Sequence, residues 1–271
     1  MPGLSAVIIT YNEEKYIGSC VESLQGVADE IVVVDSGSTD KTREICERLG
    51  CRVILHDFEG YIEQKNWAMA RAKYDHILSL DGDELLSDEL KKSILRVKEH
   101  WDRDGYYLNR RNRYYGKWLY HSGEYPDRKL RLADRRKASW NGINPHDNLI
   151  LENGATKGFL KGDLLHYAHE SYEEHLAKVR RFAAISAREL YRRRGRSSWL
   201  RIMVSPLWRF MWNYFFRLGF LDGSNGLRVC YVNAYQSYLK HRHTRDPEIL
   251  EKTGNENMQE RVQESFPVSI S

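Results

Sequence analysis

The sequence predicts an α/β fold: a predominantly parallel sheet flanked by helices, followed by a helical C-terminal region. Three observations carry this. Four short apolar runs, at residues 6–10, 30–35, 51–55 and 76–80, are long enough for buried strands and too short for helices. Helical spacing separates one run from the next, and strands alternating with helices wind into a parallel sheet covered on both faces. From Ser171 to Arg194 the apolar residues recur at helical intervals, as in Leu176, Val179, Phe182 and Ala183.

In chain order, the first run (AVIIT) ends in Tyr11-Asn12-Glu13-Glu14, after which Ile17, Cys20, Val21 and Leu24 keep helical spacing. The second (EIVVVD) is rich in β-branched residues and leads into Ser36-Gly37-Ser38-Thr39-Asp40, a stretch of turn formers and helix caps. Ile45 and Leu49 continue a helix that stops at Gly50. The third run precedes a helix around residues 61–72, and the fourth runs into Asp81-Gly82-Asp83-Glu84. Ser87-Asp88 ahead of Glu89-Leu90 is an N-cap signal, so Asp88 needs no catalytic role, and Glu84 faces away or supports that helix. The expected organisation is one α/β domain over residues 1–170, a helical region over 171–243 and a polar tail over 244–271.

With 41% hydrophobic and 30% charged residues, the chain of 271 reads as folded and able to bury a full core. Its net charge of +4 is too small to imply nucleic-acid binding. Positive charge nevertheless clusters, at Arg110, Arg111 and Arg113, at Arg128 to Lys137, and at Arg180 to Arg196, which suits phosphates or an anionic membrane face. Cys20, Cys46, Cys51 and Cys230 have neither C-x-x-C nor metal-ligand spacing and read as reduced cytosolic thiols. The apolar run after Met1 is short and lacks a basic leader, which argues against a signal peptide.

In a parallel sheet, ligands sit at the carboxyl ends of the strands. Thr10-Tyr11-Asn12-Glu13, Asp35-Ser36-Gly37 and Asp81-Gly82-Asp83 all lie just past strand ends and should converge on one crevice. Two carboxylates around a glycine can seat a hard cation such as Mg²⁺ or Mn²⁺ bound to a diphosphate, or they can simply form an acidic turn capping the next helix.

The ordered set Val7 to Glu14, Val33 to Asp40 and Asp81 to Glu84 resembles the family 2 glycosyltransferases, whose fold is GT-A. Gln64-Lys65-Asn66-Trp67-Ala68, Tyr125 to Leu132, Pro145-His146-Asp147 and Gly219 to Gly223 extend the resemblance toward the bacterial lipopolysaccharide-core β-1,4-glucosyltransferases, over most of the chain to about residue 240. The resemblance implies a nucleotide-sugar half to about residue 105 and an acceptor half over 106–170. It implies that Thr10, Tyr11 and Glu13 line a nucleotide pocket, with Asp35 accepting from the uracil imide and Lys65 near the nucleotide. Asp81 and Gly82 would lie by the ribose, and Asp83 would bind Mg²⁺ or Mn²⁺. Pro145-His146-Asp147 stands where similar enzymes have V-H-E, so Asp147 is the candidate base and His146 a metal ligand or orienting partner. An aspartate, with a reference pKa of about 3.9, is ionised at neutral pH and can accept the proton of an acceptor hydroxyl. The shorter side chain departs from the family pattern by one methylene.

Tyrosines and tryptophans interleave with arginines from Tyr106 to Trp140. Such residues can stack on sugars and hold phosphates, with Arg128, Arg131 and Trp140 as candidates, or they can be ordinary strand residues. The stretch 199–220 is long and aromatic but is interrupted by Pro206 and three arginines, unlike a membrane span of ~20 apolar residues. It reads as helices lying in a membrane interface or as a layer packed on the enzyme itself. With the resemblance, which implies inversion, a UDP-sugar donor and a metal ion, these features lead to the expectation of a transferase moving a hexose to a lipid-linked or lipopolysaccharide-core acceptor, peripheral to the cytosolic membrane face, with no nucleic-acid partner. The rivals are a polyprenyl-phosphate sugar transferase, a non-catalytic membrane-associated nucleotide-sugar-binding protein, and a nucleotidyltransferase. The acidic Tyr11-Asn12-Glu13-Glu14 argues against the last.

Overall fold

Strand alternation sorts the apolar runs into two cores. In β1 (Leu4–Thr10) every residue is buried, with Leu4, Ala6 and Ile8 in one core and Val7 and Ile9 in the other. β2 (Glu30–Asp35) divides likewise, Val33 opposing Val32 and Val34. The first core is closed by α1 (Ile17–Leu24), through Ile17, Cys20, Val21 and Leu24, and by α4 (Asp88–Glu99), through Leu90 and Ile94. The second is closed by α3 (Tyr61–Ala70), through Ala68 and Met69, and by a hairpin of β9 (Ala138–Ile143) and β10 (His146–Leu151), through Trp140 and Leu149. Lys65 on α3 and Asp147 on β10 thereby belong to elements on the same side of the sheet.

The structure, a computed structural model, describes residues 2–143 and 146–251, with the backbone alone at Ile143, His146 and Glu251. It divides into two compact units. The described part of the first comprises residues 2–110, 127–143 and 146–166. Its sheet opens with β3 (Arg52–Leu55), β2, β1 and β4 (His76–Asp81), paired in that order and all parallel; α2 (Thr42–Arg48) joins β2 to β3. These are the four strands expected from the sequence. Beyond β4 the pairing turns antiparallel: β8 (Asp127–Asp134) joins β4, and β6 (Gly105–Tyr114) joins β8. At the far edge, β5 (Glu84–Leu86) pairs antiparallel with β11 (Lys157–His169). The sheet is therefore mixed, parallel through the segment that alternates with helices and antiparallel where hairpin-like connections take over. Ser87 caps α4, its hydroxyl accepting from the Leu90 N–H at 3.3 Å, as the sequence signal predicts.

The described part of the second unit comprises residues 111–126 and 167–251. The end of β6 pairs with β7 (Lys117–Trp118), and helices follow: α5 (Tyr172–Arg194), α6 (Trp199–Met211), a π-helical turn over Trp212–Phe216, a 3-10 turn over Gly219–Asp222, α7 (Gly223–His243) and α8 (Pro247–Glu251). Both α5 and α6 pack on α7. Asp222 holds the turn at residues 120–122, accepting from the backbone N–H groups of Tyr120 and His121 and from the Ser122 hydroxyl at 3.0–3.1 Å. No helix among the described residues is long and apolar enough to cross a membrane.

Candidate active site

Register brings the predicted strand ends to one edge of the first unit's sheet. Thr10 lies opposite Asp35, and Ile9 lies opposite Asp81, so β2, β1 and β4 finish side by side. Thr10 is fully buried and its hydroxyl has no hydrogen-bond partner. Tyr11 and Glu13 follow half-buried. Gly82 packs the next loop against them: a Cβ there would stand 3.0 Å from Thr10 Oγ1 and 3.2 Å from Glu13 Cγ. Only the absent side chain lets the Asp81–Asp83 turn approach this closely.

Asp35 is buried, and its carboxylate organises its own turn. Oδ1 accepts from the N–H groups of Gly37 and Ser38 at 3.1 and 2.8 Å, and the Ser38 hydroxyl donates to Oδ2. A carboxylate has about four lone-pair sites, so these donors leave acceptor capacity at Oδ2.

The helical turn at Gln64-Lys65-Asn66 sends three side chains in three directions. Gln64 donates to Ser36 Oγ at 3.0 Å, steadying the loop after β2. Asn66 exchanges two 2.9 Å hydrogen bonds with the backbone of Trp140 and so ties α3 to β9. Lys65, 4% exposed, places its ammonium 3.0 Å from Asp81 Oδ1 and 2.7 Å from Asp147 Oδ2. The structure thus joins three predicted residues, Asp81, Lys65 and Asp147, in one ion-paired chain. The Lys65 ammonium also lies 4.3 Å from the centroid of the Trp140 ring, and the Arg131 guanidinium lies 5.2 Å from it. Trp140 is 5% exposed, so it offers these two cations a π face and presents no open platform for a sugar.

Arg131 is buried, with Nη2 2.9 Å from Glu84 Oε1 and 3.3 Å from Asp81 Oδ2, while its Nε and Nη1 have no partner. Glu84 neither faces away nor serves only the following helix. It is wholly buried, also pairs with Arg110 at 3.3 Å, and accepts the Asp81 N–H at 3.1 Å, so it sets the aspartate loop from beneath. Arg110 in turn holds Asp127 at 2.8 Å. Burial pushes the Asp81 carboxyl up, but Lys65 and then Arg131 outweigh it and hold the group well below the usual carboxylate range. Arg128, three residues from Arg131, sits on the opposite pleat of β8, exposed and 5.4 Å from the Phe159 ring centroid.

Asp83 Oδ2 stands 3.3 Å from His166 Nε2 on β11. A carboxylate and an imidazole suit a divalent cation that completes its shell with phosphate oxygens, as Mg²⁺ and Mn²⁺ do when one or two protein groups hold them. No three His, Cys, Asp or Glu side chains gather into a metal cluster among the described residues. The side chain of His146, the other predicted ligand, lies outside the described residues.

Residues 5–157 match the family model described as Glycosyl transferase family 2. The chain is a family 2 glycosyltransferase. Its fold is accordingly the GT-A fold, here with a mixed sheet and a helical C-terminal region. An "Uncharacterized glycosyltransferase" of Rickettsia bellii is 32% identical over 88% of this glycosyltransferase and 84% of the relative. The "Lipopolysaccharide core biosynthesis glycosyltransferase LpsC" of Rhizobium meliloti is 27% identical over 88% and 93%. Among solved structures, glucosyl-3-phosphoglycerate synthase from Mycobacterium tuberculosis is similar at a TM-score of 0.37 and 19% identity, over 50% of this chain and 57% of that one.

Two residues of the glycosyltransferase site escape a reading of the sequence. His166 lies in an unremarkable strand and meets Asp83 only because β11 pairs with β5 in a register that sets His166 opposite Glu84. Glu84 carries its signal in its position beside Asp-Gly-Asp, but its burial depends on Arg110 and Arg131 arriving from two later strands.

Proposed function

We propose that this glycosyltransferase is inverting and metal-dependent, and that it moves a hexose from a UDP-sugar to a lipid-linked or lipopolysaccharide-core saccharide at the cytosolic face of a membrane. The observation that carries the reading is the meeting of Thr10, Asp35 and Asp81-Gly82-Asp83 at three adjacent strand ends, with His166 beside Asp83. The relative named for lipopolysaccharide core biosynthesis, aligned over most of both chains, supports the acceptor class.

In this reading Thr10, Tyr11 and Glu13 line the nucleotide pocket, and Asp35 accepts from the uracil imide N–H. Asp83 and His166 would hold Mg²⁺ or Mn²⁺, which when bound offsets the charge of the leaving diphosphate. The unpartnered Nε and Nη1 of Arg131 are buried donors suited to anionic oxygens. Asp147 accepts the proton of the attacking hydroxyl as the new C–O bond forms at the anomeric carbon; the bond to the diphosphate breaks and its electron pair leaves with UDP. A single displacement of this kind inverts the centre. Lys65 neutralises Asp147 as it stands, so the base is released when the ammonium turns toward the incoming diphosphate. Calorimetric titration of UDP, with Mn²⁺ and then with chelator, tests the site. Metal-dependent binding lost in Asp83→Asn is expected, and no UDP binding under any metal condition overturns the donor assignment.

A further inference from the structure

The helical unit presents a surface that the proposed chemistry does not use. Of the 22 exposed large hydrophobic side chains among the described residues, thirteen fall between Trp199 and Leu221. They are ordered: Leu200, Met203, Val204, Leu207 and Met211 recur at helical spacing along α6 and are 73%, 74%, 50%, 63% and 38% exposed. The opposite side of α6 is satisfied within the unit, with Ile202 buried and Ser205 Oγ 2.9 Å from Ser237 Oγ of α7. α6 thus packs on α7 with one side and leaves its apolar stripe to solvent.

Aromatic residues extend the stripe. Trp208, Trp212 and Phe216 form a ladder with ring centroids 5.8 and 5.2 Å apart, and Trp208, Arg209 and Trp212 line an open cleft of about 220 Å³. Charge completes the picture. From Leu190 to Leu221 the chain has seven arginines and no aspartate or glutamate. Isolated apolar side chains are ordinary on a surface, but a contiguous patch rimmed by polar groups marks an interaction site. Trp, Phe and Leu on one face with arginine on its flanks is the composition of a helix that lies in the headgroup layer. A protein partner would meet this uniformly basic rim only with acidic groups, whereas anionic lipid supplies negative charge along the whole element.

We infer that α6, the π-helical turn and the 3-10 turn dock on an anionic bilayer surface, inserting Leu200, Leu207 and Trp208 while Arg201, Arg209 and Arg217 meet lipid phosphates. The inference rests on the proposed function only for the acceptor's being membrane-borne; docking itself needs neither donor nor metal. Flotation with phosphatidylcholine vesicles, with and without phosphatidylglycerol, tests it on the full chain. Wild type is expected to float with the anionic vesicles. Leu200→Glu/Leu207→Glu, at two exposed sites, should weaken binding by about tenfold or more with an unchanged thermal melt, and Arg201→Gln/Arg209→Gln should remove the preference for phosphatidylglycerol. Wild type failing to float, or floating equally well after the two glutamate substitutions, overturns the inference. A wild-type dimer that becomes monomeric in the glutamate variant would also overturn it, by giving the stripe to a second copy of the chain. UDP calorimetry on the same samples separates this outcome from failure of the donor site.

Discussion

Glu84→Gln is the substitution that most directly tests how the aspartate loop is held. The wild-type carboxylate is wholly buried, with Arg131 at 2.9 Å, Arg110 at 3.3 Å and the Asp81 N–H at 3.1 Å. Glutamine keeps the shape and one acceptor oxygen but removes the charge, leaving the Arg131 guanidinium, 4% exposed, to rely on Asp81 alone. Breaking a buried pair by removing one partner costs about 3–5 kcal/mol, because the surviving charge stays desolvated. Arg110 keeps Asp127 at 2.8 Å, so the lower end of that range applies. At about 2–4 °C per kcal/mol for a domain of this size, Tm should fall by about 10 °C. Thermal unfolding followed by calorimetry measures this, with Asp88→Asn as the control. Asp88 is 91% exposed and pairs with Lys91 at 3.6 Å, so its loss should change stability by about 0.5 kcal/mol or less. If Glu84→Gln melts within about 1 °C of wild type, the buried cluster contributes no net stability and the argument from desolvation fails. A cycle with Arg131→Met should then show no coupling, whereas the structure requires about 1–3 kcal/mol between these two groups.

Other outcomes follow from single observations. His166→Gln should weaken Mn²⁺-dependent UDP binding by about tenfold or more, read by calorimetry, while UDP binding in chelator is unchanged. Gly82→Ala should reduce UDP affinity through the 3.0 Å approach to Thr10 Oγ1, and Gly82→Ala/Thr10→Ser should recover none of it, because the hydroxyl that crowds the new methyl remains. In the helical unit, burial, then the charges of His169 and Lys178, hold the His175 imidazole down at about 2. A histidine kept neutral in the folded state, with an ordinary value near 6.5 when unfolded, stabilises fully above that pH and progressively less below it. Between about pH 6.5 and pH 5 it should remove about 1.5 kcal/mol. Melts at both pH values should show that loss in wild type and a flatter dependence in His175→Phe, whose ring can keep the stack on His169 at 4.1 Å.

What the sequence carried was local. Val32, Val33 and Val34 announce a strand covered on both faces, and Ser87 ahead of an apolar helix announces its cap; each needs only its neighbours. The edge at Thr10, Asp35 and Asp81 was equally legible, because parallel strands joined by helices must all finish on the same side. What it did not carry was register among the antiparallel strands. His166 reaches Asp83, and Arg131 reaches Glu84, only through pairings made by segments about 50 to 80 residues apart in the chain. A one-residue slip in β8 would turn Arg131 to the other face, and no short-range pattern excludes that slip. The same cause governs Lys65. Helical periodicity puts it on α3, but its ion pair with Asp147 depends on the β9–β10 hairpin folding over that helix, and Asn66 fixes the hairpin with its two hydrogen bonds to Trp140. The Gln-Lys-Asn triplet is therefore a structural unit: its outer members hold the loop after β2 and strand β9 in place, and the lysine between them reaches Asp81 and Asp147.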